Sequence, residues 1–117
     1  MNQGDVILTP VPQADGNLKN RPAIFLRELP PYRDMLVCGV STQLHREVKG
    51  FDDVIRSTDS DFKSTGLKTD SLIRLGFLAV LPRKTVLGTI GAISIARHRR
   101  LLKRLSDYLI RQTSSHR

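Results

Sequence analysis

The stretch PAIFLRELPPYRDMLVCGV, residues 22–40, decides how this chain folds. Its apolar runs, 22–27 and 35–40, lie on either side of LPPYRD, a proline-rich turn at 29–34. Within each run apolar residues follow one another instead of alternating with polar ones, the pattern of a strand covered on both faces. The two runs are predicted to pair as a hairpin.

Outward from the hairpin, residues 5–9 predict a first strand around Val6, Ile7 and Leu8. Pro10 and Pro12 are expected to stop it, because proline cannot donate to a ladder. Residues 11–20 predict a polar loop that turns at Asp15-Gly16. Downstream, 44–68 is polar and irregular, with 51–56 as a brief edge strand and DSDF, 59–62, as the start of one helical turn. Ser71–Leu81 suits a bent strand, interrupted near its middle by Arg74 and Gly76. Residues 86–93 suit a last strand, in which Gly88 and Gly91 allow a bend or a close approach.

Ser94 then reads as the N-cap of a helix over 95–111. Ile95, Leu102, Leu105 and Leu109 form its apolar stripe, widened by Leu101 and Tyr108, with Arg97, Arg100, Lys103 and Arg104 turned away. Residues 112–117 are expected to fray. No repeat and no internal linker is visible, and 117 residues suit one domain, 1–117, with a modest core. Five short strands and a terminal helix predict a mainly β fold: a small, strongly curved barrel with a C-terminal helix against it, closure removing most exposed edges.

Charge narrows the function. Nineteen Lys+Arg oppose eleven Asp+Glu, for a net charge of +8 and a pI near 10.4. That balance implies polyanion partners: nucleic acid, anionic lipid or an acidic protein. Much of the excess lies after residue 96, where Arg97, Arg99, Arg100, Lys103, Arg104, Arg111 and Arg117 face only Asp107; such a segment is also read as a solvated face. No stretch has the apolar length of a membrane span, and the first ten residues lack the pattern of a signal peptide. Cys38 is the single cysteine, which excludes an intramolecular disulfide and a cysteine-based zinc site. A cytoplasmic protein is expected.

No metal-ligand spacing, nucleophile elbow or P-loop is present. His98 falls near the helix stripe and is expected to pack, His116 is near the end, and His45 sits in a polar loop with nothing paired to it by spacing. What remains is cations and hydroxyls at strand ends. If 22–27 and 35–40 form a hairpin, Arg21 and the pair Ser41-Thr42 lie at the same end of the sheet. A guanidinium beside a hydroxyl suits a phosphate: the fork gives bidentate contacts and the hydroxyl adds a hydrogen bond.

Several motifs in order carry a family resemblance. GDVILTPVPQADGNLKNRPAIFL, 4–26, strongly resembles the opening of the PemK/MazF toxins, with its Gly-Asp-Val, apolar strand, polar loop and Arg-Pro. VSTQ, 40–43, resembles that family's strand ending in a conserved threonine or serine. GLKTDSLIRL, 66–75, is similar to its Gly-Leu-x-x-x-Ser signature, and LGTIGAIS, 87–94, to its closing strand. The resemblance implies an SH3-like barrel, a homodimer, and the toxin role in a bacterial type II toxin–antitoxin pair: a metal-independent, cofactor-free endoribonuclease that cuts single-stranded mRNA. It also implies an acidic antitoxin as partner, and operator DNA bound through the toxin–antitoxin complex.

By the same resemblance Arg21 matches the arginine that contacts the scissile phosphate, Ser41 the conserved hydroxyl with Thr42 one residue on, and Ser71 a structural serine. Arg74 matches an arginine two residues ahead of a PemK-branch aspartate, whose place Gly76 takes here. The PemK-branch histidine of the first loop is also absent, Asn17 being nearest, so only the arginine–hydroxyl core shared with the MazF branch remains. The implied reaction is attack of a ribose 2′-OH on its own 3′-phosphate, leaving 2′,3′-cyclic phosphate and 5′-OH ends. Asp52, Asp53 and His45 are open candidates for the base, each with a solvated-loop alternative. Lys19, Asn20, Lys49 and Lys63 are expected to line an RNA groove, with Phe51 either a base platform or a core residue.

Two other functions compete. One is a weakened barrel that binds RNA, or operator DNA with its antitoxin, without cutting. The other is an unrelated protein-binding scaffold, disfavoured because two tyrosines, four phenylalanines and no tryptophan do not make the aromatic cluster such modules use.

Overall fold

A computed structural model describes residues 1–12 and 14–111. The 112–117 segment, with His116 and Arg117, lies outside the described residues. Six strands, β1 (Asp5–Pro12), β2 (Leu18–Leu29), β3 (Asp34–Ser41), β4 (Asp53–Ile55), β5 (Ser71–Leu81) and β6 (Gly88–Ala92), form one antiparallel sheet in the order β4-β5-β3-β2-β1-β6. A single helical turn, α1 (Phe62–Thr65), follows β4, and the terminal helix α2 (Ile95–Ile110) follows β6. The mainly β class with a C-terminal helix is as expected, but the sheet is a half-barrel: among the described residues β4 and β6 are outer strands that do not pair with each other.

The hairpin holds, with Ala23 opposite Gly39 and Phe25 opposite Val37. The first strand and the loop after it are corrected. β1 runs through Pro10 to Pro12, and β2 starts at Leu18, so most of the expected 11–20 loop is ladder. Among the described residues β6 pairs with β1 only as far as Leu8, so the β6 ladder does not need the donors that Pro10 and Pro12 lack. The turn at Asp15-Gly16 remains: the Asn17 amide donates to Asp15 Oδ1 (2.9 Å) and Gly16 takes a φ of 86°.

The sheet buries residues on both faces. Ile24, Leu26, Cys38, Val40, Ile73 and Leu75 point to the core under Leu101 and Leu105 of α2. Ile7, Ala23, Phe25, Met35 and Val37 point to a second cluster on the other face. β5 serves both by bending where the sequence places Arg74 and Gly76. Arg74 pairs with Gly39 and Leu78 with Cys38, so Leu75, Gly76 and Phe77 are extra residues on the β5 side. An odd number of extra residues reverses the alternation. Ile73 and Leu75 therefore fill the main core, while Arg74, Phe77, Ala79 and Leu81 reach the opposite face.

Ser94 caps α2, its hydroxyl accepting from the Arg97 amide (3.1 Å). The expected helix stripe holds only in part: Leu101, Leu102 and Leu105 pack on the core. Ile95, Tyr108 and Leu109 are exposed, whereas Arg97 is buried on the same face as Leu101 and Leu105. Its guanidinium meets Asp53 on β4 (2.8 Å), Asp59 (3.1 Å) and Asp61 (2.9 Å), and Arg100 and Arg104 also reach Asp53. Half of the basic helix surface thus clips α2 to the end of the sheet and is not a free tail. His98 packs as expected, its Nε2 2.8 Å from the Leu26 carbonyl. Burial, with the nearby charge of Asp52, pushes the Cys38 thiol up to about 12.

Candidate nucleic-acid site

On the face opposite α2, β1, β2, β3 and β5 enclose a cleft of about 460 Å³. Strand register decides which side chains enter it. Arg21 lies two residues before Ala23, and Ser41 two after Gly39, so both share the face of that pair. Thr9 pairs with Arg21 and joins them, and Arg74 pairs with Gly39. Arg21, Ser41 and Arg74, named from sequence, therefore line one cleft.

The hydroxyl at the strand end is Ser41. Its Oγ accepts from the Gln43 amide (3.0 Å), which orients it and leaves its proton to donate. Thr42 is exposed and does not line the cleft. The Arg74 guanidinium lies 5.4 Å from the centre of the Phe77 ring. Gly39 makes room for that ring, since a Cβ there would sit 2.9 Å from Phe77 Cδ1.

Sequence reasoning missed Thr9, Gln43, Arg46 and Phe77, all of which line the cleft. Arg46 arrives on a single 3-10 turn, Leu44–Arg46, directly after β3. A cation five residues past the strand-end serine was the available signal, but the polar run 44–68 gave no reason to fold it back. Three guanidiniums from three elements thus face a partly apolar pocket with two hydroxyls and, among the described residues, no carboxylate or imidazole in its lining. Such a pocket suits a phosphodiester with its adjoining ribose or base.

The remaining expected groove residues are not all brought here. Lys19 and Asn20 extend β2 beside Arg21 and are exposed, with Lys19 opposite the cleft residue Val11. Lys49 and Phe51 instead border a second depression against the end of α2, where Phe51 stacks near Tyr108 (4.9 Å) and packs on the core. Lys63 sits on α1, away from the cleft lining. The two aspartates do not fold over the site: Asp52 and Asp53 are buried, one holding backbone amides and the other the α2 arginines. His45 is exposed and outside the cleft lining.

With this geometry in view, the solved structure of the Mycobacterium tuberculosis toxin MazF-mt6 superposes with a TM-score of 0.65, covering 93% of this chain and 99% of that one at 17% identity. The fold is that of the MazF toxins. No protein-family model and no curated sequence matches the chain. None of the helices described is long and apolar enough to cross a membrane.

Proposed function

We propose that the protein is the toxin of a type II toxin–antitoxin pair, a metal-independent endoribonuclease acting on single-stranded mRNA in the cytoplasm. The observation that carries this reading is the convergence of Arg21, Arg46 and Arg74 with the Ser41 hydroxyl on one cleft in a MazF fold. In the reaction a ribose 2′-oxygen forms a bond to its own 3′-phosphorus as the bond from phosphorus to the 5′-oxygen breaks. The 2′-hydroxyl proton passes to water and the 5′-oxygen takes one up, giving 2′,3′-cyclic phosphate and 5′-OH ends. Dependence on the 2′-OH makes RNA the substrate and spares DNA. Arg21 stabilises charge on the phosphorane, Ser41 donates to a phosphate oxygen, and Arg74 neutralises the phosphate. Lys19 and Asn20 extend the contact along the strand. The proposed partners are an acidic antitoxin, operator DNA through the complex with it, and a second copy of this chain.

Incubation of the purified protein with a long RNA, followed by mapping of the ends, tests this: discrete cuts with 5′-OH termini are expected. Arg21→Ala should lower cleavage by about 100- to 1,000-fold while the protein stays folded, the usual effect of removing one preorganised donor. Undiminished cleavage by that variant removes Arg21 from the chemistry. A second reading, a barrel that binds RNA or operator DNA without cutting, is favoured by the lack, among the described residues, of any carboxylate or imidazole in the cleft lining. RNA retained intact but bound would decide for it.

A further inference from the structure

Asp52 has no place in the cleft lining, yet its carboxylate touches two of the three segments that supply the cleft with arginines. It is buried, 4% exposed. Oδ1 accepts from the amide of Leu75 (3.0 Å) and Oδ2 from the amide of Val48 (2.9 Å). Leu75 is the first extra residue of the β5 bulge, directly after Arg74 and two before Phe77. It has no ladder partner on β3, and β4 accompanies β5 no further than Ile73 opposite Asp53. The Asp52 side chain therefore takes the bond that a longer β4 would have made. Val48 belongs to the segment that leaves β3 through Gln43 and Arg46. That segment closes on the same residue, since the Asp52 amide donates back to the Val48 carbonyl (2.9 Å).

We propose that Asp52 is a positioning residue for the cleft: one buried carboxylate fixes the β5 bulge that aims Arg74 and Phe77 and the loop that presents Arg46. Its bearing on RNA rests on the function proposed above; its bearing on geometry does not. Asp52 contacts no cleft ligand and acts only through the arginines. Asn cannot replace it, because an amide offers one acceptor oxygen where two backbone donors converge.

The test compares wild type, Asp52→Asn, Arg74→Ala and the double variant for affinity toward a 2′-O-methyl oligoribonucleotide, which binds but cannot be cut. Asp52→Asn is expected to weaken binding about tenfold in the wild-type background and clearly less once Arg74 is gone, only the part carried through Arg46 remaining, the signature of coupled residues. Equal losses in both backgrounds would overturn the proposal. If wild type binds no oligonucleotide, the RNA reading fails, and the NMR cross-peaks of the Arg46 and Arg74 Nε–H groups decide this one. Movement of both in Asp52→Asn upholds it, and unchanged positions reject it. Should Asp52→Asn not fold, amide exchange in the wild type decides: a protected Leu75 N–H sustains the assignment, and one exchanging at the open-chain rate refutes it.

Discussion

A single guanidinium, that of Arg97, holds three carboxylates drawn from β4 and the turn after it. Burial alone would pull Arg97 down, but Asp61 and Asp53 raise it above its ordinary value overall. Its hydrogen bond to Asp61 holds that carboxyl well below the usual aspartate range. Removing one partner of a buried set leaves the others uncompensated, so Arg97→Ala should cost about 3–5 kcal/mol, read from the urea midpoint. Arg97→Lys should recover little, because an ammonium cannot reproduce the fork. The acid limb follows from Asp61. Its folded value lies below the unfolded 3.8, so the stability it contributes is complete above that pH and declines as pH falls through the folded value. Unfolding midpoints should drop below that point in the wild type, and Asp61→Asn should be weaker at neutral pH and flatter in acid. None of this was legible from the helix sequence. Arg97 lies 36 to 44 residues from its partners, and the apolar periodicity pointed to Ile95 and Leu109, which the sheet does not cover.

Among the elements, α1 and β6 meet so closely that two glycines are required. A Cβ on Gly91 would run into the carbonyls of Ser64 and Thr65, and one on Gly66, whose φ is 73°, into the Ile90 carbonyl. Both obstacles are backbone, which cannot swing aside. Gly91→Ala should force α1 off the sheet and lower stability by about 1–3 kcal/mol, measured by thermal unfolding. The close approach expected at Gly91 was visible as a glycine inside a strand; its partner was not, because α1 is one turn long. The hairpin, the N-cap and the β5 bend were legible for a similar reason: each is written in neighbouring residues. Pro10 and Pro12 misled because whether a proline ends a strand depends on whether a neighbour needs its donor, and β6 stops short of them.

At the scale of the whole molecule, the net charge of +8 is unevenly available. Arg97, Arg100 and Arg104 lean on Asp53 and Lys103 on Asp107, while three arginines line the cleft and no acid is among its described lining residues. Binding to single-stranded RNA should therefore weaken with salt through the cleft and not through the helix. Arg46→Ala is expected to lower the slope of log affinity against log salt by about one, and Arg100→Ala to leave it unchanged. Fluorescence anisotropy between low and moderate salt reads both. The Arg21–Ser41 pairing was legible because a hairpin equates one strand's start with the other's end. Thr9 and Arg46 were not, since their entry depends on register and on one 3-10 turn.

Cys38 gives the molecule a built-in clock. Disulfide reagents attack only the thiolate, and a thiol pushed up to about 12 inside the sheet offers almost none. Labelling should then wait for the strands to part, and at high reagent its rate should stop rising with concentration and report the opening step itself. A rate that climbs in proportion to reagent without limit would mean that small molecules reach the sulfur while the sheet is still closed.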